Sequence, residues 1–242
     1  MMEAILFDFG GTLDTNGIHW SEKFWDLYEL FGITVSKCQY EEAYRYSEKL
    51  IAERTKPGDD MWTMISNQIQ FQFNYLRDSD YYKPNDLPVK DMISYCRWDI
   101  LKQINRSKRV LQLLKSDYRL GLVSNFTGNL KAVVECLSID EYFDVIADSH
   151  ILNIPKPDPR IFMYALKKLK AAPENVFMIG DSYDRDIQPA KSIGCSTIWL
   201  DVKSWKTNES TTSADFIIRD LKEVPGIIFN KEKKHEQNTH VT

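Results

Sequence analysis

An aspartate closes the first apolar run of the chain. Ala4-Ile5-Leu6-Phe7 leads into Asp8, and Phe9 then passes to Gly10, Gly11 and Thr12. Open parallel sheets bind ligands outside the carboxyl ends of their strands, so a carboxylate there stands where covalent catalysis is possible. Three more segments fall at expected strand ends or in the loops just after them. Ser124-Asn125 follows a strand Arg119–Val123, Lys156 lies within Ile154-Pro155-Lys156-Pro157-Asp158, and Gly180-Asp181-Ser182-Tyr183-Asp184-Arg185-Asp186 follows Val176–Ile179. Converging on one crevice, these supply a carboxylate nucleophile, a hydroxyl, an amide, an ammonium and further acids. That set suits a phosphoryl group held beside Mg²⁺, and oxygen ligands favour Mg²⁺ over zinc.

Taken singly, each residue has a plainer reading. Asp8 alone is a turn or helix cap, Ser124-Asn125 is turn chemistry, Lys156 is an exposed loop lysine, and Gly180-Asp181 is a turn before a helix. Their joint occurrence, in order and at strand ends, is what the plainer readings leave unexplained.

The elements that must position them alternate. Strands are expected at Arg119–Val123, Phe143–Ile146, Val176–Ile179, Cys195–Leu200 and Phe216–Ile218, with helices through Val110–Leu114, Leu130–Val134, Arg160–Lys170 and Ile187–Ile193. This pattern implies a doubly wound parallel sheet covered on both faces, an α/β fold. Between the first strand and the rest, aromatics and leucines recur at helical spacing (Trp20, Phe24, Leu27, Tyr28, Phe31; Tyr40, Ala43, Tyr44, Tyr46, Leu50), with breaks at Gly32, Pro57-Gly58 and 83–88. The expected organisation is therefore a core of residues 1–16 and 105–230, an all-helical insert over 17–104, and a polar, disordered tail over 231–242. His19 and Trp20 fall at the hinge into the insert; either could line a pocket, but a helix start and core packing are the simpler readings.

Composition narrows the function classes. The 242 residues are 43% hydrophobic, enough for a sizeable core. A net charge of -4 and a pI near 5.7 argue against nucleic-acid binding by bulk charge. Cys38, Cys96, Cys136 and Cys195 show no C-x-x-C spacing, and His19, His150, His235 and His240 form no close pair in the expected folded part, so a thiolate or imidazole zinc site is not expected. No apolar run approaches the roughly 20 residues a membrane span needs. Met1-Met2-Glu3 leads straight into a core-type strand, and a cytoplasmic chain with reduced thiols is expected. Nothing in the residues selects an oligomeric state.

The order and spacing of the four segments resemble the haloacid dehalogenase superfamily, mostly Mg²⁺-dependent phosphatases with a Rossmann-like core. The resemblance runs from about residue 3 to 228, and the insert lies where that family carries a helical cap. It implies Asp8 as the nucleophile that becomes aspartyl-phosphate, and Lys156 holding Asp8 and the phosphate. Ser124, with Gly11 and Thr12, would contact phosphoryl oxygens, and Asn125 would face the substrate. Mg²⁺ would be held by Asp8, the Gly10 carbonyl and Asp181, with Asp186 in support. The implied substrate is a small phosphorylated metabolite.

Gly10 departs from that pattern. Family phosphatases carry an aspartate two residues after the nucleophile, which protonates the leaving alcohol and then activates water. Its loss leaves a metal-binding carbonyl but removes a group worth about 10²–10⁴ in rate. The outcomes are a phosphatase whose proton is unnecessary or comes from Asp14, His19 or the cap; phosphonate or halide cleavage; or a binding protein without turnover. Halide cleavage fits poorly because Gly180-Asp181 and Asp186 are present, and phosphonate cleavage needs a cap lysine, for which Lys23 and Lys49 are available.

Overall fold

The computed structural model describes residues 2–82, 88–203 and 213–239, with no account of side chains over 232–239. Its centre is strand β1, Ala4–Phe7, all four residues buried. Ile5 and Phe7 enter one hydrophobic cluster and Ala4 and Leu6 the other, because successive side chains point to opposite sheet faces. An uninterrupted apolar run is what a strand covered on both faces requires.

Four helices follow before the next strand: α1 (Trp20–Leu30), α2 (Lys37–Arg54), α3 (Met61–Asp78) and α4 (Val89–Lys115). Their starts are written locally. The His19 side chain accepts the Ser21 N–H, Ser36 and Gln39 form a reciprocal capping box, and Asp60 accepts the Thr63 N–H. The aromatic spacing builds their interior, where Tyr28 stacks on Phe73 with ring centroids 5.5 Å apart. The break expected at 83–88 lies mostly outside the described residues.

Helix α4 differs from the expected pattern, since it runs through residues 104 and 105 as one 27-residue helix. Met92, Cys96, Ile100, Ile104, Ser107, Val110, Leu111 and Leu114 form one continuous buried stripe at intervals of one to four residues, so nothing ends the helix there.

The rest alternates: β2 (Arg119–Ser124), α5 (Leu130–Cys136), β3 (Val145–Asp148), α6 (Ser149–Leu152), α7 (Arg160–Leu169), β4 (Val176–Gly180), α8 (Gln188–Ser192), β5 (Ser196–Leu200), β6 (Phe216–Ile218) and α9 (Val224–Thr239). The strands form one parallel sheet in the order β3-β2-β1-β4-β5-β6. Strand β3 begins two residues later than expected, because Asp144 is spent on the Leu120 backbone, accepting its N–H through the side chain at 2.8 Å. Helix α9 continues to Thr239, where disorder was expected from 231. A turn packed through Val224 and Ile228 is extended by lysine, glutamate and glutamine, all good helix formers. Residues 240–242 lie outside the described residues. Among the described residues no helix is long and apolar enough to cross a membrane.

Candidate active site

The chain reverses direction across the sheet between β1 and β4, and the crevice opens there, outside the strand ends. Asp8 follows β1, with its N–H donated to the Ile179 carbonyl at 2.9 Å, so its position is anchored to β4. Ser124 ends β2 and donates to Asp8 Oδ1 at 3.0 Å. Lys156 Nζ donates to Asp8 Oδ1 and to Asp186 Oδ1, each at 2.6 Å, and to the Val123 carbonyl at 3.1 Å. Its three donors are thus all used, as burial of an ammonium demands. Burial alone would lower the Lys156 pKa, but Asp186 and Asp8 outweigh it and the pKa is raised.

Two glycines allow the carboxylates to approach. Gly11 has φ +96°, and a Cβ there would lie 2.4 Å from Asp181 Oδ2. A Cβ on Gly180 would lie 2.4 Å from Asp186 Oδ2. Asp186 reaches back to the strand end from a wide helical turn over Tyr183–Ile187, closed by the Gln188 N–H on the Tyr183 carbonyl. Pro189 has no N–H to offer Arg185, so an ordinary helical ladder cannot cross this point.

Carboxylate oxygens of Asp8, Asp181 and Asp186 all lie within 4.8 Å of one another, facing one ammonium. Burial, then Asp8 and Asp186, hold the Asp181 carboxyl well above its ordinary range, and burial pushes Asp186 to about 6. Three acids against one lysine leave negative charge uncompensated, and an all-oxygen donor set is what a hard divalent cation takes. The residues therefore fit a metal ion.

The other expected site residues separate into ligand-facing and supporting groups. Asn125 lines the cavity but spends its amide on the Lys156 main chain, accepting the N–H at 2.7 Å and donating to the carbonyl at 3.0 Å. Gly11 donates its N–H to Asp14 Oδ1 at 2.8 Å. The Thr12 hydroxyl lies 3.2 Å from Asp181 Oδ1 and accepts the Asp181 N–H at 3.1 Å. Gly11 and Thr12, expected to contact phosphate, do not line the cavity; they shape the turn that holds Asp8 against Asp181.

A cavity of about 670 Å³ extends from Asp8 and Gly10 to the faces of α2 and α3. His19 and Trp20 both line it, while His19 also caps α1 and Trp20 packs against the core, so the helix-start and core readings hold together with the pocket reading. Trp20 Nε1 donates to Asp14 Oδ2 at 2.8 Å. The Asp14 carboxyl, driven by burial, rises to about 7. Lys23 pairs with Asp99 and Lys49 lies 3.9 Å from Glu53; neither lines the cavity, which removes the lysines a Schiff-base route would use. Sequence reading also missed the far wall, Glu48 and Gln68, which no local pattern distinguishes from a solvated helix face.

These shifts predict a stability profile. Asp14 and Asp186 have folded pKa values above the unfolded 3.8, so the native state binds more protons and stability falls as pH rises from about 4 towards 7. In chelator, Asp14 alone accounts for about 3 kcal/mol between pH 5 and pH 8, its folded pKa of about 7 lying two units above pH 5 at about 1.4 kcal/mol each. Urea unfolding at pH 5 and pH 8 measures this, with added divalent cation recovering much of the loss at pH 8. A flat profile in chelator would contradict the buried-acid picture.

The doubly wound α/β fold thus places an acid–lysine cluster at its switch point, where open α/β sheets bind their ligands. Residues 2–194 match the family model described as haloacid dehalogenase-like hydrolase, and the chain belongs to that family. It is 28% identical over 204 residues to the glyceraldehyde 3-phosphate phosphatase of Methanothermobacter thermautotrophicus, covering 82% of this chain and 85% of that one. It is 36% identical over 134 residues to the bovine (Bos taurus) haloacid dehalogenase-like hydrolase domain-containing protein 3, covering 55% of this chain and 53% of that protein. The chain thus spans about half the length of several curated relatives it matches. Among solved structures, an HAD phosphatase from Thermococcus onnurineus has a TM-score of 0.55 at 24% identity, covering 94% of this chain and 98% of that one. The putative HAD-hydrolase YfnB from Bacillus subtilis, bound to magnesium, has a TM-score of 0.59 at 19% identity, covering 93% and 98%. At those identities the likeness is one of fold.

Proposed function

We propose that this hydrolase is a Mg²⁺-dependent phosphatase acting on a small phosphorylated metabolite. The observation that carries the reading is the grip on Asp8: an ammonium and a hydroxyl hold Oδ1, while among the described residues Oδ2 has only a long approach, 3.4 Å, from Thr12. Such a carboxylate is fixed through one oxygen and available through the other. The phosphatase named among the relatives supports the same class of reaction.

In the proposed reaction Asp8 attacks phosphorus in line, the new bond joins its carboxylate oxygen to phosphorus, and the bond from phosphorus to the alcohol oxygen breaks. Water then hydrolyses the acyl-phosphate, releasing inorganic phosphate and restoring the Asp8 carboxylate. Lys156 and Ser124 keep the nucleophile oriented, and Lys156 offsets charge developing on the phosphoryl group. Asp8, Asp181 and the Gly10 carbonyl would hold Mg²⁺, with Asp186 beside them; when bound it supplies further neutralisation of the phosphoryl oxygens. The helices between β1 and β2 act as a cap over the cavity, excluding water and selecting the alcohol.

No aspartate stands at Gly10 to protonate that alcohol, which sets the test. Hydrolysis of substituted phenyl phosphates with Mg²⁺ is expected to fall steeply as the leaving phenol becomes less acidic, and to vanish in chelator. Absence of hydrolysis across the whole series, with metal present, would overturn the reading.

A further inference from the structure

The far wall of the cavity carries a polar group that the proposed chemistry at Asp8 does not use. Glu48, on α2, accepts from Gln68 Nε2 on α3 at 2.8 Å, and the same amide donates to Ser47 Oγ at 3.0 Å. Tyr44 is also hydrogen-bonded to Glu48, and Arg185, which lines the same cavity, acts electrostatically on both. Two donors leave a carboxylate with unused acceptor sites. Phe24, Ile51, Met61 and Met64 add apolar surface to the same lining, beside polar side chains such as Tyr44, Thr127 and Arg185. Orientation in such pockets is set by a few fixed polar groups on an otherwise apolar lining.

Volume adds a second constraint. At roughly 30 Å³ per water-sized group, the 670 Å³ cavity has room for about twenty, twice the ten or so non-hydrogen atoms of a triose phosphate.

We propose that Glu48, held by Gln68 and Tyr44, recognises the end of the substrate remote from phosphorus. The substrate is then a phosphate monoester whose alcohol part is larger than a triose, partly apolar, and terminated by a hydroxyl or amine that donates to Glu48. This rests on the phosphatase reading.

The test uses nitrophenyl phosphates, whose leaving group needs little proton, with a ring substituent that ends in methyl, hydroxyl or amine and a chain matched in length from two carbons to eight. Values of kcat/KM are measured for the wild type, Glu48→Gln and Glu48→Leu, and binding of the same compounds is measured by calorimetry with the Asp8→Asn protein. The expected result is an optimum chain length at which a donor-bearing compound exceeds its plain counterpart by about 10–100-fold. Glu48→Leu should collapse that ratio towards one for both series, and Glu48→Gln should lose the amine preference while keeping part of the hydroxyl preference. Hydrolysis with no donor preference, or with Glu48→Leu lowering plain and donor-bearing compounds equally, would overturn the inference and leave the phosphatase reading intact; the second pattern would make Glu48 a partner of Arg185 in holding the cap. Donor-selective binding without hydrolysis of any compound would do the reverse. Neither binding nor hydrolysis would overturn both.

Discussion

Asp8→Asn is expected to abolish turnover, by a factor on the order of 10⁴ or more, while leaving the metal-free protein at least as stable as the wild type. The two halves of this result have one cause. Asp8 is one of three clustered carboxylates, two buried and one half-buried, beside a single lysine that pairs with Asp8 and Asp186, an arrangement that is costly until a cation or substrate compensates it. Asparagine keeps the shape and an oxygen that can accept from Lys156 and Ser124, yet brings no negative charge against Asp181 and Asp186. Chemistry is lost because the amide is not a nucleophile; stability is kept because a repulsion is removed. Urea unfolding in chelator at pH 8, run beside the kinetics, separates this from simple damage. Full turnover in the variant would place the nucleophile elsewhere, and a large loss of stability would mean Asp8 chiefly holds the fold together.

The core of the site was legible because each of its parts ends an apolar run. Asp8 after Ala4–Phe7, Ser124 in β2 and Asp181 after β4 are placed by strands whose register brings Phe7 beside both Leu122 and Ile179. Lys156 was legible only by position in the order of segments; its burial and its three acceptors are long-range facts. The supporting roles of Gly11, Thr12 and Asn125 were not readable, since each depends on a partner distant in sequence or on a turn geometry: Asp181 for the first two, the Lys156 main chain for the third. The helical turn that carries Asp186 was likewise hidden, although Pro189 marks its edge. Glu48 was invisible for a different reason. On α2 it stands among Glu41, Glu42, Arg45 and Lys49, a composition normal for a solvated face, and only the packing of α3 beside it makes it a wall of the cavity.

Gly10→Asp is expected to raise turnover by about 10²–10⁴ on phosphates of poorly acidic alcohols and to change it little on 4-nitrophenyl phosphate, whose leaving group needs little proton. The site has room for the change. Gly10 does not adopt a left-handed backbone, and a Cβ there would meet only the Trp20 ring, at 3.9 and 4.0 Å, an ordinary contact. Glycine at this position is thus not demanded by backbone or packing, unlike Gly11 next to it, so its consequence is chemical. The added carboxylate joins a cluster already short of positive charge, and the variant should be less stable than the wild type in chelator. If instead the wild type already hydrolyses poor leaving groups well and the variant gains nothing, a resident group supplies the proton. Asp14 is poorly placed for that, because its two oxygens are taken by the Gly11 N–H and Trp20 Nε1. His19 is better placed, since it lines the cavity; to act it must carry the extra proton of the imidazolium, and burial and then Arg185 lower its pKa, so its contribution would fade as pH rises towards neutrality. His19→Gln would then steepen the dependence on leaving group, and Gly10→Asp added to it would flatten that dependence again.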